Sequence, residues 1–281
     1  MLNKTTTQLK ITFIGGGNMA GALIGGLCDK GQEAICRPAD IHVVDLNADS
    51  LKNLQGKFGV TTSQHIDAQI SQSDVVLMSV KPQQMREVAE QLAPHITNQL
   101  VISIAAGIRF GDLSRWLNNY AAIVRTMPNM PALINQGITG MYAAPEVSPA
   151  QRSNAEAIMR AVGATVWLEE EAMLDPLTAV SGSGPAYVFY FMEIMQKAAQ
   201  EMGFSDEQAR QLTMATFQGA VQLAAQSDEP TATLRERVTS KGGTTYAALT
   251  SMEHSGVGDA IVKALKAAAL RSKELGDEFG K

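Results

Sequence analysis

Short apolar runs separated by helix-patterned stretches fill the first 168 or so positions of the chain, and helical spacing alone fills the rest. The runs predict strands at Leu9 to Ile14, Ile41 to Asp45, Asp74 to Val80, Leu100 to Ala106, Ala122 to Thr126, Ile138 to Ala143 and Thr165 to Leu168. Between the earlier ones lie helix patterns at Asn18 to Lys30, Asp49 to Lys57 and Pro82 to Leu92. That alternation is the βαβ rhythm of a doubly wound parallel sheet. Ser148-Pro149-Ala150-Gln151 reads as a helix start, with proline in the first turn and glutamine placed for a capping box, and Gly163 closes that helix.

From Glu169 onward the strand signal disappears. Pro185 opens a long apolar helix to Met202, and Ser205-Asp206-Glu207-Gln208 is a second capping box, opening a helix to about Gln226. Thr231 to Val238, Thr244 to His254 and Gly258 to Leu275 complete the helical pattern. On the last of these Ile261, Leu265 and Ala268 share a face, whereas Asp259, Lys263 and Lys266 fall elsewhere. The long helix differs, since Tyr187, Val188, Phe189, Tyr190, Phe191, Met192, Ile194 and Met195 leave it almost no polar face. A helical domain of roughly 110 residues is small for surrounding such a helix by itself, so a partner subunit is expected to cover it. The fold class is therefore α/β: an N-terminal Rossmann-type doubly wound parallel sheet over residues 1–168, followed by an all-α dimerisation domain over residues 169–281.

With 281 residues, 45% of them hydrophobic and only 5% aromatic, the chain has to build its core from aliphatic and alanine packing. A net charge of −5 without runs of like charge favours a small-molecule ligand over nucleic acid or an anionic membrane. Met1 to Lys10 lacks the apolar core of a signal peptide, and Ile11 to Leu27 is glycine-laden and too short to span a bilayer. Cys28 and Cys36 fit neither a zinc knuckle nor a redox pair, which points to a reducing cytoplasm. His42, His65, His95 and His254 are scattered without ligand spacing, so no metal site is expected.

Candidate chemistry sits in two glycine loops. Ile11-Thr12-Phe13-Ile14 runs into Gly15-Gly16-Gly17-Asn18-Met19-Ala20, a G-x-G-x-x-A pattern between a strand and a helix. In a dinucleotide fold the first glycine makes the tight turn, Gly17 lets the pyrophosphate approach the backbone, and Ala20 keeps helix and sheet close. At the end of the next strand Asp45 either accepts hydrogen bonds from the adenosine ribose hydroxyls or caps the following helix. In the first role its charge repels a 2′-phosphate and points to NADH over NADPH. Ser79-Val80-Lys81-Pro82 and Ile104-Ala105-Ala106-Gly107 end two further strands and are placed to border ribose and nicotinamide, although Lys81-Pro82 equally suits a plain helix start. The second loop, Thr239-Ser240-Lys241-Gly242-Gly243-Thr244-Thr245, enters a helix and reads either as a turn or as a seat for a small anion on the first-turn amides.

Several ordered blocks together make the chain resemble the pyrroline-5-carboxylate reductases over essentially its whole length. They are F-I-G-G-G-N-M at Phe13 to Met19, V-K-P at Val80 to Pro82, S-I-A-A-G at Ser103 to Gly107, R-T-M-P-N at Arg125 to Asn129, S-G-S-G-P-A-Y at Ser181 to Tyr187 and V-T-S-K-G-G-T-T at Val238 to Thr245. The resemblance implies NAD(P)H-dependent reduction of 1-pyrroline-5-carboxylate to L-proline by a homodimer, with further assembly to a decamer. It implies that Ser240, Gly242, Gly243, Thr244 and Thr245 hold the substrate carboxylate, that Thr245 reaches the ring nitrogen, and that Glu171 or its neighbour Glu170 approaches the ring. It also implies that Ile14, Gly15, Gly16, Gly17, Asn18 and Met19, with Val80, Lys81, Pro82, Ala105, Ala106 and Gly107, line the cofactor. Met130 departs from the family's usual threonine, and Asp45 from the small or basic residues many members carry. The β-hydroxyacid dehydrogenases share the two-part plan, but their K-x-x-N pair occurs nowhere in this chain. A nicotinamide-binding regulator without turnover is the alternative of a different class.

Overall fold

A computed structural model describes residues 8–28 and 35–281. Eight strands form one sheet: β1 (Ile11–Ile14), β2 (Ile41–Val44), β3 (Thr61–Ser63), β4 (Val75–Met78), β5 (Leu100–Ser103), β6 (Ile123–Met127), β7 (Gly137–Ala143) and β8 (Gly163–Trp167). Their order is β3-β2-β1-β4-β5-β6-β7-β8. Neighbours run parallel throughout except β6 and β7. The antiparallel pair follows from a connection made only of a short 3₁₀ stretch, Met130–Ile134, because a parallel crossover needs a dozen or more residues. β3 was not among the expected strands: it is three residues long, contains no aliphatic run and pairs only with β2.

The central strands bury both faces, which is why they read as continuous apolar runs. Phe13, Val43, Val75, Leu77, Leu100 and Ile102 enter one core with α1 (Asn18–Cys28), α2 (Ala48–Phe58) and α5 (Pro149–Arg160). Ile14, Val44, Val76, Met78 and Val101 enter the other with α3 (Met85–Leu92) and α4 (Phe110–Trp116). The helix expected to end at Lys30 is described as far as Cys28, and Asp29 and Lys30 lie outside the described residues. The capping box at Ser148 forms as expected, Ser148 Oγ accepting from the Gln151 amide and the Gln151 side chain accepting from the Ser148 amide.

The chain divides into two compact units, residues 1–183 with 268–281, and residues 184–267. Loss of strand signal at Glu169 therefore does not coincide with the end of the first unit. A 3₁₀ turn at Glu171–Met173, then α6 (Leu174–Leu177) and a π-helical turn, Thr178–Gly182, still pack on the sheet. Leu177 lies so close to Gly140 that a Cβ there would come within 2.2 Å of it. Within the second unit are α7 (Gly184–Glu201), α8 (Asp206–Ala225), α9 (Thr231–Arg237), α10 (Thr244–His254) and the first half of α11 (Val257–Phe279). α7 packs on α8, whose Ser205 capping box also forms. Of the eighteen residues of α7 only Ala199 is buried within this chain.

Candidate active site

Parallel strands in matched register bring the carboxyl ends of β1, β2, β4 and β5 to one edge of the sheet, and the first glycine loop lies on it. Gly15 adopts φ +103°, and a Cβ there would sit 2.8 Å from the Ser79 carbonyl oxygen, so backbone angle and close approach both demand glycine. Its amide donates to Val44 O at 2.7 Å, and Ser79 Oγ donates to Gly15 O at 2.6 Å. The space a Cβ would fill at Gly17 is open. Gly17 and Asn18 are exposed at the start of α1, beside a groove of about 380 Å³ also bounded by Ser50, Leu133 and Asn135.

Asp45 does not cap α2; Asn47 does, its side chain accepting from the Asp49 and Ser50 amides. The Asp45 carboxylate instead accepts from the Gly16 amide at 2.6 Å and from the Asn47 amide at 2.8 Å. Ser50 Oγ closes the arrangement by donating to Gly16 O at 2.7 Å. A fixed anion at the end of β2 thus holds the middle of the glycine loop. Ser50 escapes a sequence reading because its partner Gly16 comes within reach only once β1 and β2 are paired. Asn47 makes its bonds within three residues, so its place just before the helix is a local capping signal.

At the end of β4, Val80 is half-buried, Lys81 is exposed, and Pro82 occupies the first turn of a 3₁₀ stretch, so the helix-start reading describes the backbone there. At the end of β5, Ala105 is buried, Ala106 is partly exposed, and Gly107 adopts φ +78°. Here the sequence missed both α4 and the environment of Glu171. Glu171 Oε1 accepts from Arg125 at 2.6 Å and from the Phe110 amide at 2.6 Å. The Arg125 side chain is only 8% exposed, and that of Glu171 27%. A cavity of about 520 Å³ is bounded here by Gly107, Arg109, Arg125, Glu171, Asp175 and Lys273. Buried Asn129 ties the β6–β7 connection to the π turn, accepting from the Ile138 amide at 3.0 Å and donating to Ser181 O at 3.2 Å. Next to it Met130 is exposed, where the resemblance leads one to expect threonine.

The second loop belongs to the second unit. Gly242 takes φ +74°, and the Gly243 amide donates to Ser240 O at 3.0 Å, folding the loop back on itself. A Cβ at Gly243 would meet Ser240 Oγ at 2.5 Å. Gly243 is the N-cap of α10 and has no side chain to satisfy the helix, whose first bond runs from the Ala247 amide to Gly243 O at 3.1 Å. The amides of Thr244, Thr245 and Tyr246 are left for another acceptor, and no acidic residue stands in the first turn to repel an anion. Ser240 and Thr244 are exposed and Thr245 is half-buried.

No group of three metal-ligating side chains occurs among the described residues, and none of their helices is long and apolar enough to cross a membrane. A mostly parallel sheet bearing a glycine loop at its carboxyl edge, followed by helices with a bare apolar surface, is the architecture of dinucleotide-binding proteins that carry a pairing helical domain. The family model for pyrroline-5-carboxylate reductase dimerisation matches residues 171–275, and that for the coenzyme F420-dependent NADP oxidoreductases matches residues 10–107. Pyrroline-5-carboxylate reductase from Pseudomonas aeruginosa is 44% identical over 96% of this chain and 98% of its own. That from Haemophilus influenzae is 39% identical over 94% of this chain and 97% of its own. The chain belongs to the pyrroline-5-carboxylate reductase family. Among solved structures, the Coxiella burnetii enzyme superposes with a TM-score of 0.88 at 39% identity, covering 96% of this chain and 99% of that one. The Plasmodium falciparum enzyme, solved with NADP bound, gives 0.85 at 26% identity, covering 95% and 98%.

Proposed function

We propose that this protein reduces 1-pyrroline-5-carboxylate to L-proline with NAD(P)H, the last step of proline biosynthesis. Family membership over nearly the whole chain supports the reaction, and the uncapped start of α10 is the observation that carries the substrate assignment. The open space over Gly17 and the exposed start of α1 fit a dinucleotide pyrophosphate, with Ile14 to Met19, Val80 to Pro82 and Ala105 to Gly107 as the residues that would hold the cofactor. Bound there, NAD(P)H supplies the hydride for the imine carbon.

The protein's own task is to hold and present the imine. Ser240 and Thr244, with the free first-turn amides of α10, seat its carboxylate, and Gly242 and Gly243 shape the turn that presents them, the Gly243 amide itself being bonded to Ser240 O. Thr245 orients the ring nitrogen. If the imine enters protonated, no strong general acid is required, and a hydroxyl strengthens its hydrogen bond as charge shifts in the transition state. We assign cofactor binding to residues 1–168, and substrate binding and dimerisation to residues 169–281. The start of the dimerisation match at residue 171 supports that functional boundary. The working assembly is a homodimer through the helical unit, with a decamer as its larger form, and the compartment is the cytoplasm, where Cys28 and Cys36 stay reduced. Burial holds the Cys36 thiol at a pKa of about 12, far from reactive thiolate.

Asp45 sets the cofactor preference. Its carboxylate is pinned at the end of β2 by two amides, so a 2′-phosphate meets a fixed negative charge there. Initial rates with pyrroline-5-carboxylate, run side by side with NADH and NADPH, test both statements. Oxidation of either cofactor is expected, faster with NADH. Binding without oxidation would support a regulator instead of an enzyme, and equal use of NADPH would remove Asp45 from the argument.

A further inference from the structure

We infer that Glu171 is a positioning residue acting on the cofactor: together with the last turns of α11 it clamps the Ala105–Phe110 segment in place. The inference rests on the reading above that Ala105 to Gly107 border the cofactor. On one side Glu171 Oε1 takes both the Phe110 amide and Arg125, each at 2.6 Å. Arg125 is a residue of β6, in register with Ser103 of β5, so this carboxylate joins the segment to the strand beside its origin. On the other side the segment lies against α11. A Cβ at Gly107 would be 3.2 Å from Leu275 Cβ, and one at Gly276 would be 3.1 Å from Gly107 O and 3.0 Å from the Arg109 guanidinium. Arg109 reaches across Gly276 to Asp277 at 2.7 Å and to Lys273 O at 3.1 Å. Ser272 Oγ, donating to Asp175 at 2.7 Å, fixes the same stretch of α11 to α6.

Arg109 and Phe110 are consecutive, so the segment is gripped at one point from two directions. Glu171 Oε1 is spent on two protein groups, the Phe110 amide and Arg125, an arrangement a ring-facing acid does not require. Neutralising the carboxylate would leave the buried Arg125 charge uncompensated and reduce the charge-assisted bond to the Phe110 amide to a weaker neutral one, loosening the segment. A segment displaced by an ångström weakens what binds along it. The effect should therefore appear in cofactor affinity and not in affinity for the imine.

The test is fluorescence titration of NADH into the dimeric enzyme without imine, beside steady-state rates. Glu171→Gln is expected to weaken NADH binding about ten-fold while the KM for pyrroline-5-carboxylate at saturating NADH stays within about two-fold. Asp277→Asn, which loosens the opposite side through a solvent-accessible pair, is expected to weaken NADH binding about three-fold. An unchanged NADH affinity in Glu171→Gln, or a rise confined to the KM for the imine, overturns the inference. Should Glu171→Gln fail to fold, Asp277→Asn decides, and unchanged NADH affinity in it overturns the inference equally. Ala106→Phe separates the underlying reading. If it leaves NADH affinity unchanged, the segment does not border the cofactor and both statements fall. If it alone weakens binding, only the clamp falls.

Discussion

The two units solve the burial problem in opposite ways. In the first, β1, β4 and β5 are buried at every position and helices cover both faces of the sheet, so its core closes within one chain. In the second, Phe189 is 56% exposed, Tyr190 61% and Val221 65%, and the apolar helix α7 buries a single alanine. A surface of that kind marks an interface. The same chain thus contains one unit whose fold is complete by itself and one whose apolar side chains are left for a second subunit, consistent with its match to a dimerisation domain. Sequence periodicity detects the apolar helix in either case. Whether its own chain covers it depends on how much other apolar surface the unit can bring against it.

Four outcomes would sharpen or break this contrast. The largest effect is expected from Phe189→Glu, since a charge buried across the paired helices costs several kcal/mol. Sedimentation at micromolar concentration should show monomer in place of dimer, and a persisting dimer would mean that α7 lies outside the interface. Gly15→Val should be the corresponding insult to the first unit. It places a β-branched side chain at φ +103°, with its Cβ 2.8 Å from Ser79 O. A loss of about 2–3 kcal/mol in stability and a collapse of NADH binding are expected, with the dimer intact. Retained NADH affinity would remove the loop from the cofactor site.

Thr245→Ala probes the division of labour itself: kcat should fall about ten-fold or more while NADH affinity is unchanged, as for a bond made only in the transition state. An unchanged kcat would reduce Thr245 to a helix-start hydroxyl. The smallest effect concerns His42 in the first unit. Thr61 Oγ1 donates to Ile41 O and so accepts from His42 Nδ1, leaving the buried Nε2 without a partner. Burial lowers the His42 pKa below its usual value, with Asp67 partly opposing. Below the unfolded pKa of about 6.5 the unfolded chain then binds more protons, so stability should be full above that pH and decline as pH falls through it. Denaturant melts at pH 7.5 and pH 5.5 should show less of this decline in His42→Leu than in the parent, and identical slopes would refute the assignment.

What could be read without coordinates was local. The Ser148 and Ser205 capping boxes each close within three residues, the turn at Gly15 follows from its place between strand and helix, and apolar runs or periods announce most of the elements. β3 and α4 escaped because three polar residues and a seven-residue helix offer too little pattern to distinguish them from loop. The compact units also escaped, because a chain that has finished its last strand still packs across the sheet before leaving it, and the end of α11 returns to that unit.

The sequence by itself determined the order of the longer elements, the two glycine loops and, through its ordered motifs, the family. Only the tertiary structure decided which groups those loops and acids meet. Asp45 bonds an amide 29 positions away, Glu171 an arginine 46 positions away and an amide 61 positions away. Such partners are chosen by strand order and helix packing, and hydrogen bonds of a few ångströms have no counterpart in sequence spacing until the sheet has brought distant segments side by side.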